Sequence, residues 1–161
     1  VRWVGDQGLH LTIRFYGEVE TDLLEPLNRS LQEAVTDTAP VPLELGGLGV
    51  FPHRRKPRVI WIGVDAPPEL ELLHHRVELA AAELGFPSER RQTTYRPHVT
   101  LGRVKRGATL PTDAIDAIDS DTTSVTCLAD RVLLYESMLS PGGTRYRSLG
   151  TFPFEGGVWA S

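Results

Sequence analysis

The chain has 161 residues, with 17 Lys and Arg against 21 Asp and Glu and a net charge of −4. That length fits a single domain, residues 1–161, and the charge excludes a globally basic nucleic-acid coat. One cysteine, Cys127, excludes an internal disulfide framework and points to a reducing, cytoplasmic setting. No apolar run approaches the eighteen or so residues that cross a bilayer, so no membrane partner is expected.

The opening residues Val1 to Val4 read as a strand-like approach. From Leu9 to Glu18 the pattern alternates: Leu9, Leu11, Ile13 and Phe15 on one side, His10, Thr12, Arg14 and Tyr16 on the other. That predicts a strand with one buried and one polar face. A helix is expected from about Asp22 to Asp37, with Thr21 as N-cap and Pro26 in its first turn. Strands over about Pro42 to Gly49 and Arg58 to Val64 flank a basic loop that carries Phe51 and His53. A second helix is expected from about Pro67 to Leu84, with Gly85 as its stop. Tyr95 to Val104 is the next strand, followed by a short helical piece near Thr112 to Ile118. Strands at about Ser124 to Cys127, Arg131 to Leu139 and Thr144 to Phe154 complete the chain, the last two joined by the turn Ser140-Pro141-Gly142-Gly143. The order suggests α+β with mainly antiparallel pairing and an internal duplication.

Fifteen of the seventeen basic residues are arginine. They cluster at Arg54-Arg55-Lys56-Pro57-Arg58, Arg90-Arg91, Arg103-Val104-Lys105-Arg106, and Arg145 with Arg147. Arginine's planar fork suits bidentate phosphate contacts. A general compositional preference for arginine accounts for the clusters equally well.

Two segments share one pattern: His10-Leu11-Thr12-Ile13 and His98-Val99-Thr100-Leu101. On a strand, residues i and i+2 face the same way, so each motif presents an imidazole beside a hydroxyl, backed by buried aliphatics. One His-x-Thr alone carries little weight; two, in similarly built halves of the chain, carry much more. Opening a cyclic phosphodiester needs a base toward water and an acid toward the departing ribose oxygen, on opposite sides of phosphorus. Histidine, with an unperturbed pKa near 6.5, serves either role near neutrality. The threonine hydroxyls can donate to the non-bridging oxygens. With one motif from each half, the pair would face each other across a cleft.

These stretches, together with Arg14-Phe15-Tyr16-Gly17-Glu18-Val19, Arg96-Pro97 before the second motif, Gly102-Arg103 after it, Tyr135-Glu136-Ser137, and Tyr146-Arg147-Ser148-Leu149-Gly150-Thr151-Phe152, resemble the 2H phosphoesterase superfamily. Within it the chain looks like the RNA 2′,3′-cyclic phosphodiesterases of the LigT type, historically called 2′-5′ RNA ligases. The resemblance spans nearly the whole chain. It implies a bilobal α+β fold, two pseudo-symmetric halves of mainly antiparallel sheet with flanking helices around a central cleft. It also implies a strand and helix before the first motif, which this numbering lacks. The expected activity is metal-independent hydrolysis of RNA 2′,3′-cyclic phosphate termini to 2′-phosphate, with 2′-5′ ligation as its reverse.

The resemblance assigns His98 as base, helped by Thr100, and His10 as acid; the sequence itself leaves the assignment open. Arg14 and Arg103 are candidates for phosphate contact, although strict alternation aims Arg103 away from His98 unless a bulge near Gly102 re-aims it. Tyr146 and Phe51 are candidates to stack on a base or ribose. His53 reads as solvated surface, and His74 and His75, consecutive on a helix, diverge. No cofactor is expected. Partners are RNA ends or small cyclic nucleotides, with no metal, and the chain is expected to act as a monomer. Rival readings are a metal site built on His10 and His98, for which no ligand spacing exists, and a non-catalytic RNA-end binder of the same fold. Within the enzyme class, other cyclic nucleotides and 2′-5′-linked oligonucleotides remain open.

Overall fold

The computed structural model describes residues 1–88, 95–141 and 143–156, apart from the side chain of Asp119. In chain order the elements are β1 (Arg2–Trp3), α1 (Leu24–Ala34), β2 (Val41–Phe51), β3 (Val59–Asp65), α2 (Pro68–Glu83), β4 (His98–Arg103), α3 (Thr112–Ser120), β5 (Ser124–Ala129), β6 (Arg131–Ser140) and β7 (Gly143–Pro153). The expected α+β class with antiparallel pairing is what the chain adopts. Arg90-Arg91, and Gly142 of the expected turn, lie outside the described residues.

The chain divides into two compact units. The first holds Val1–Thr12, Leu43–Ala66 and Arg96–Cys127; the second holds Ile13–Pro42, Pro67–Tyr95 and Leu128–Ser161. A five-stranded sheet in the order β1-β4-β3-β2-β5 builds the first unit. Its central strand β3 alternates as its sequence dictates, with Ile60, Ile62 and Val64 buried on one face and Val59, Trp61 and Gly63 half-buried on the other. Two irregularities interrupt the ladders. Between Gly46 and Leu48 the β2 register slips by one residue, and the extra residue, Gly47, has φ of 68°, where a side chain would be strained. Between Ile60 and Trp61 the register shifts against β4, leaving Leu101 as the extra residue.

In the second unit, α1 and α2 pack with the β6–β7 hairpin around Leu27, Leu31, Val35, Leu73, Val77, Val132, Leu134 and Phe152. On α2 the buried positions Leu70, Leu73, Val77 and Ala81 recur at helical spacing. This helix starts on Pro68 and stops as Gly85 turns to φ of 84°. The Gly85 and Phe86 amides then close on the carbonyls of Ala82 and Ala81, a paired C-terminal cap that takes up two orphan acceptors. Thr21 does not cap α1. It opens a 3-10 turn, Thr21–Leu23, and Leu23 precedes the first α-helical residue. Pro26 sits within the first turn, where its missing N–H costs nothing.

The expected strand over Leu9–Glu18 is not formed. The segment makes one isolated antiparallel bridge, Leu11 with Val99, and Leu9 and Phe15 are 45% and 68% exposed rather than buried. The cause lies in edge occupancy and topology. The same edge of β4 is already paired with Arg2 and Trp3 at Arg103 and Gly102, and after Thr12 the chain passes into the second unit.

Truncation at the heart of the second unit should be costly. Leu31→Ala is expected to lower the unfolding free energy by about 2–5 kcal/mol, read from the shift in urea midpoint at constant slope.

Candidate active site

The Leu11–Val99 bridge fixes a register. Because the pair is antiparallel, one step to either side sets His10 opposite Thr100 and Thr12 opposite His98. All four side chains then share the face opposite to Leu11 and Val99. His10 and His98 are diagonal neighbours on this face, about 7–8 Å apart at the backbone. The histidine and threonine of both motifs belong to the first unit.

The two imidazoles are held alike. In each, Nδ1 lies against the carbonyl of the residue two before it: Gly8 for His10 at 2.7 Å, Arg96 for His98 at 3.0 Å. A carbonyl only accepts, so Nδ1 carries the proton in both rings and donates it. The proton chemistry of each ring therefore runs through Nε2, and each ring is fixed in orientation as well as tautomer. His10, Thr12, His98 and Thr100 are all half-buried.

The neighbouring strands extend the same face. Trp61 pairs with Thr100 and Gly63 with His98; Gly49 pairs with Trp61 and Phe51 with Val59. Phe51 stacks on Trp61 with ring centroids 5.1 Å apart and meets the His98 ring edge-on at 5.2 Å. Phe51, a candidate from sequence, thus stands beside His98. Trp61 belongs to the site too, although the sequence reading passed over it. Its signal was available, since it alternates with buried Ile60 and Ile62 and so must face the histidines. Gly49 is required beneath it, because any Cβ there would strike the indole.

Arg103 also joins this face. The extra residue at Leu101 inverts the alternation, so that Arg103 pairs with Val59 on the side of Trp61 and Thr100. The condition set by the sequence, a bulge near Gly102, is met.

Arg14 and Tyr146 belong to the second unit. The Arg14 side chain is 2% exposed, forms an ion pair with Glu78, donates to the Pro87 carbonyl at 2.6 Å and lies over the Tyr16 ring. Its charge is spent within that unit, so the expected phosphate contact finds no support in the geometry. Burial pushes the Tyr16 phenol up to about 12, partly offset by the Arg14 charge. Tyr146 packs against Tyr135 at 5.5 Å. His53 is exposed, as expected, and His74 stacks on Tyr95 at 4.1 Å. Among the described residues, no group of three or more His, Cys, Asp and Glu side chains is placed to hold a metal ion.

One sheet face thus carries two histidines, each donating Nδ1–H to a backbone carbonyl and each opposite a threonine. The chain belongs to the 2′-5′ RNA ligase superfamily, whose profile matches residues 2–138. It is 31% identical to the RNA 2′,3′-cyclic phosphodiesterase of Thermotoga maritima over 97% of this chain and 81% of that one. It is 34% identical to the enzyme of the same name from Archaeoglobus fulgidus, over 94% and 83%. Among solved structures, TT0787 of Thermus thermophilus aligns with a TM-score of 0.76 at 26% identity, covering 96% of this chain and 82% of that one. E. coli LigT complexed with 3′-AMP aligns with a TM-score of 0.66 at 25% identity, covering 95% and 80%.

The tautomers give a direct test. Long-range proton–nitrogen correlation spectra at alkaline pH should show His10 and His98 as the Nδ1–H form, opposite to the form favoured by imidazoles free in water. An Nε2–H pattern in either ring would overturn the geometry described.

Proposed function

We propose that this protein hydrolyses RNA 2′,3′-cyclic phosphate ends to 2′-phosphates without a metal ion, using His98 as base and His10 as acid. The observation that carries the reading is the register that sets each histidine opposite a threonine with its Nδ1 proton already committed. A cyclic phosphate placed between the diagonal imidazoles has Nε2 of one ring toward an attacking water. Nε2 of the other faces the departing 3′ oxygen. His98, neutral with a bare Nε2, takes the proton from water as the new P–O bond forms; His10, entering as the imidazolium with both nitrogens protonated, gives its Nε2 proton to the ribose 3′ oxygen as the P–O3′ bond breaks. Thr12 and Thr100 donate to the non-bridging oxygens, where negative charge gathers in the transition state. Because the imidazole roles exchange in reverse, the same pair would support 2′-5′ ligation. The assignment of acid and base follows the family resemblance, and the relatives named RNA 2′,3′-cyclic phosphodiesterase support the reaction. Phe51 and Trp61 offer a π-surface beside His98 on which a terminal base can stack. RNA ends carrying a 2′,3′-cyclic phosphate are the partner this reading assigns.

Phosphorus NMR of an oligoribonucleotide ending in a 2′,3′-cyclic phosphate, incubated with excess EDTA, should show conversion to a single 2′-phosphomonoester. His10→Ala and His98→Ala are each expected to lower kcat by about 10²- to 10⁴-fold, and Thr12→Val or Thr100→Val by about 10²-fold or more. Conversion that EDTA abolishes would sink the metal-free mechanism. Binding without turnover in the folded protein would leave an RNA-end binder.

A further inference from the structure

The chain passes between the two compact units close to both histidine motifs. One crossing follows Thr12 directly, and another separates Tyr95 from Arg96, the residue whose carbonyl holds Nδ1 of His98. On the second-unit side, both crossings are fastened to α2 by residues about one helical turn apart.

Arg14, two residues beyond Thr12, has an almost wholly buried side chain that forms an ion pair with Oε2 of Glu78 and donates to the Pro87 carbonyl at 2.6 Å. Oε1 of the same carboxylate lies 3.9 Å from Nε2 of His74, four residues earlier on the helix. The His74 ring stacks in turn on Tyr95, with centroids 4.1 Å apart and planes 8° from parallel. All of these residues belong to the second unit.

Stability alone is a weak reason for the arrangement. A buried ion pair gains little over an apolar pair of the same shape, because both charges have to leave water. What it adds is direction, since a planar guanidinium bound on two sides fixes where its own backbone lies. The His10 segment needs such a fix. Its one described strand pairing is the bridge from Leu11 to Val99, and Leu9 and Phe15 are too exposed to hold it by burial. Ile13 and Tyr16 pack on the core of the second unit, but apolar packing is non-directional. His98 is better held, because β4 pairs with β3 from its first residue. Arg96, however, stands before that strand begins. Pro97 restricts it to extended backbone on one side, and the stacked Tyr95 fixes it on the other.

We infer that Glu78 and His74 are positioning residues for the two-histidine site, Glu78 for His10 through Arg14 and His74 for His98 through Tyr95. This deepens the phosphodiesterase reading and rests on it.

Two variants separate the anchors. Arg14→Met/Glu78→Leu replaces the ion pair by apolar side chains and is expected to keep the urea midpoint near that of the wild type. His74→Ala removes the ring on which Tyr95 lies. On an oligoribonucleotide with a 2′,3′-cyclic phosphate end, each should lower kcat by about 10- to 100-fold and leave KM nearly unchanged. In long-range proton–nitrogen spectra the pair variant should show His10 as a mixture of Nδ1–H and Nε2–H forms, while His98 keeps the Nδ1–H form. His74→Ala should show the reverse. A general loss of stability would disturb both rings together; that outcome, or wild-type kcat in either folded variant, overturns the inference. Should the pair variant fail to fold, Glu78→Gln, which keeps the shape of the side chain, carries the same readouts. If the wild-type protein turns over no such substrate, the phosphodiesterase reading fails. The ring spectra then decide alone: the crosswise pattern supports the two anchors, and its absence overturns them.

Discussion

The proposed chemistry of this protein depends on the pairing of β4. On one side its ladder with β3 sets Trp61 and Gly63 beside Thr100 and His98. On the other a single bridge, Leu11 to Val99, brings in a second motif from almost ninety residues earlier in the chain. Because side chains alternate with period two, a slip of one residue at that bridge would turn His10 and Thr12 away from His98. The burial of Ile60, Ile62 and Val64 on the far face specifies the strand that β4 reads against. Hydrophobic patterning deep in the sheet therefore determines which polar groups meet at its surface.

Small departures from regularity shape that surface. The extra residue at Leu101 returns Arg103 to the histidine face after the ordinary strand that precedes it. Gly49 removes a side chain so that the Trp61 indole can lie flat over β2. The carbonyls of Gly8 and Arg96, two residues before their histidines, do for the imidazoles what a carboxylate does in many acid–base sites: they fix the tautomer and hold the ring. A carbonyl does so without adding a negative charge beside the imidazole.

The second unit shows a contrasting use of the same residue types. Arg14 lies near Glu78, Pro87 and Tyr16, and with its side chain almost wholly buried its guanidinium would be costly without that carboxylate. In the first unit Arg2 and Arg103 stand exposed, and among the described residues neither is paired with a carboxylate. Sequence composition cannot separate the two, since both arise within the same arginine-rich chain. Burial and the presence of a carboxylate separate them.

By itself the sequence determined most of the elements and the proposed catalytic pair. Helical spacing on α2, alternation on β3 and the turn glycines are local properties, written in residues a few positions apart. The repeated His-x-Thr pattern is just as local, so both histidines and their threonines were legible, as was Phe51. What the sequence could not settle was whatever depends on contacts distant along the chain. The strand expected over Leu9–Glu18 shrank to one bridge, because the edge it needed was shared with β1 and the chain then left the unit. Arg14, aligned with His10 and Thr12 by alternation, was drawn into the second unit by Glu78. Trp61 joined this face only through cross-strand register, and Arg103 through a bulge whose position only pairing reveals. Local propensity selects a residue's conformation; which neighbours it meets is decided by tertiary pairing.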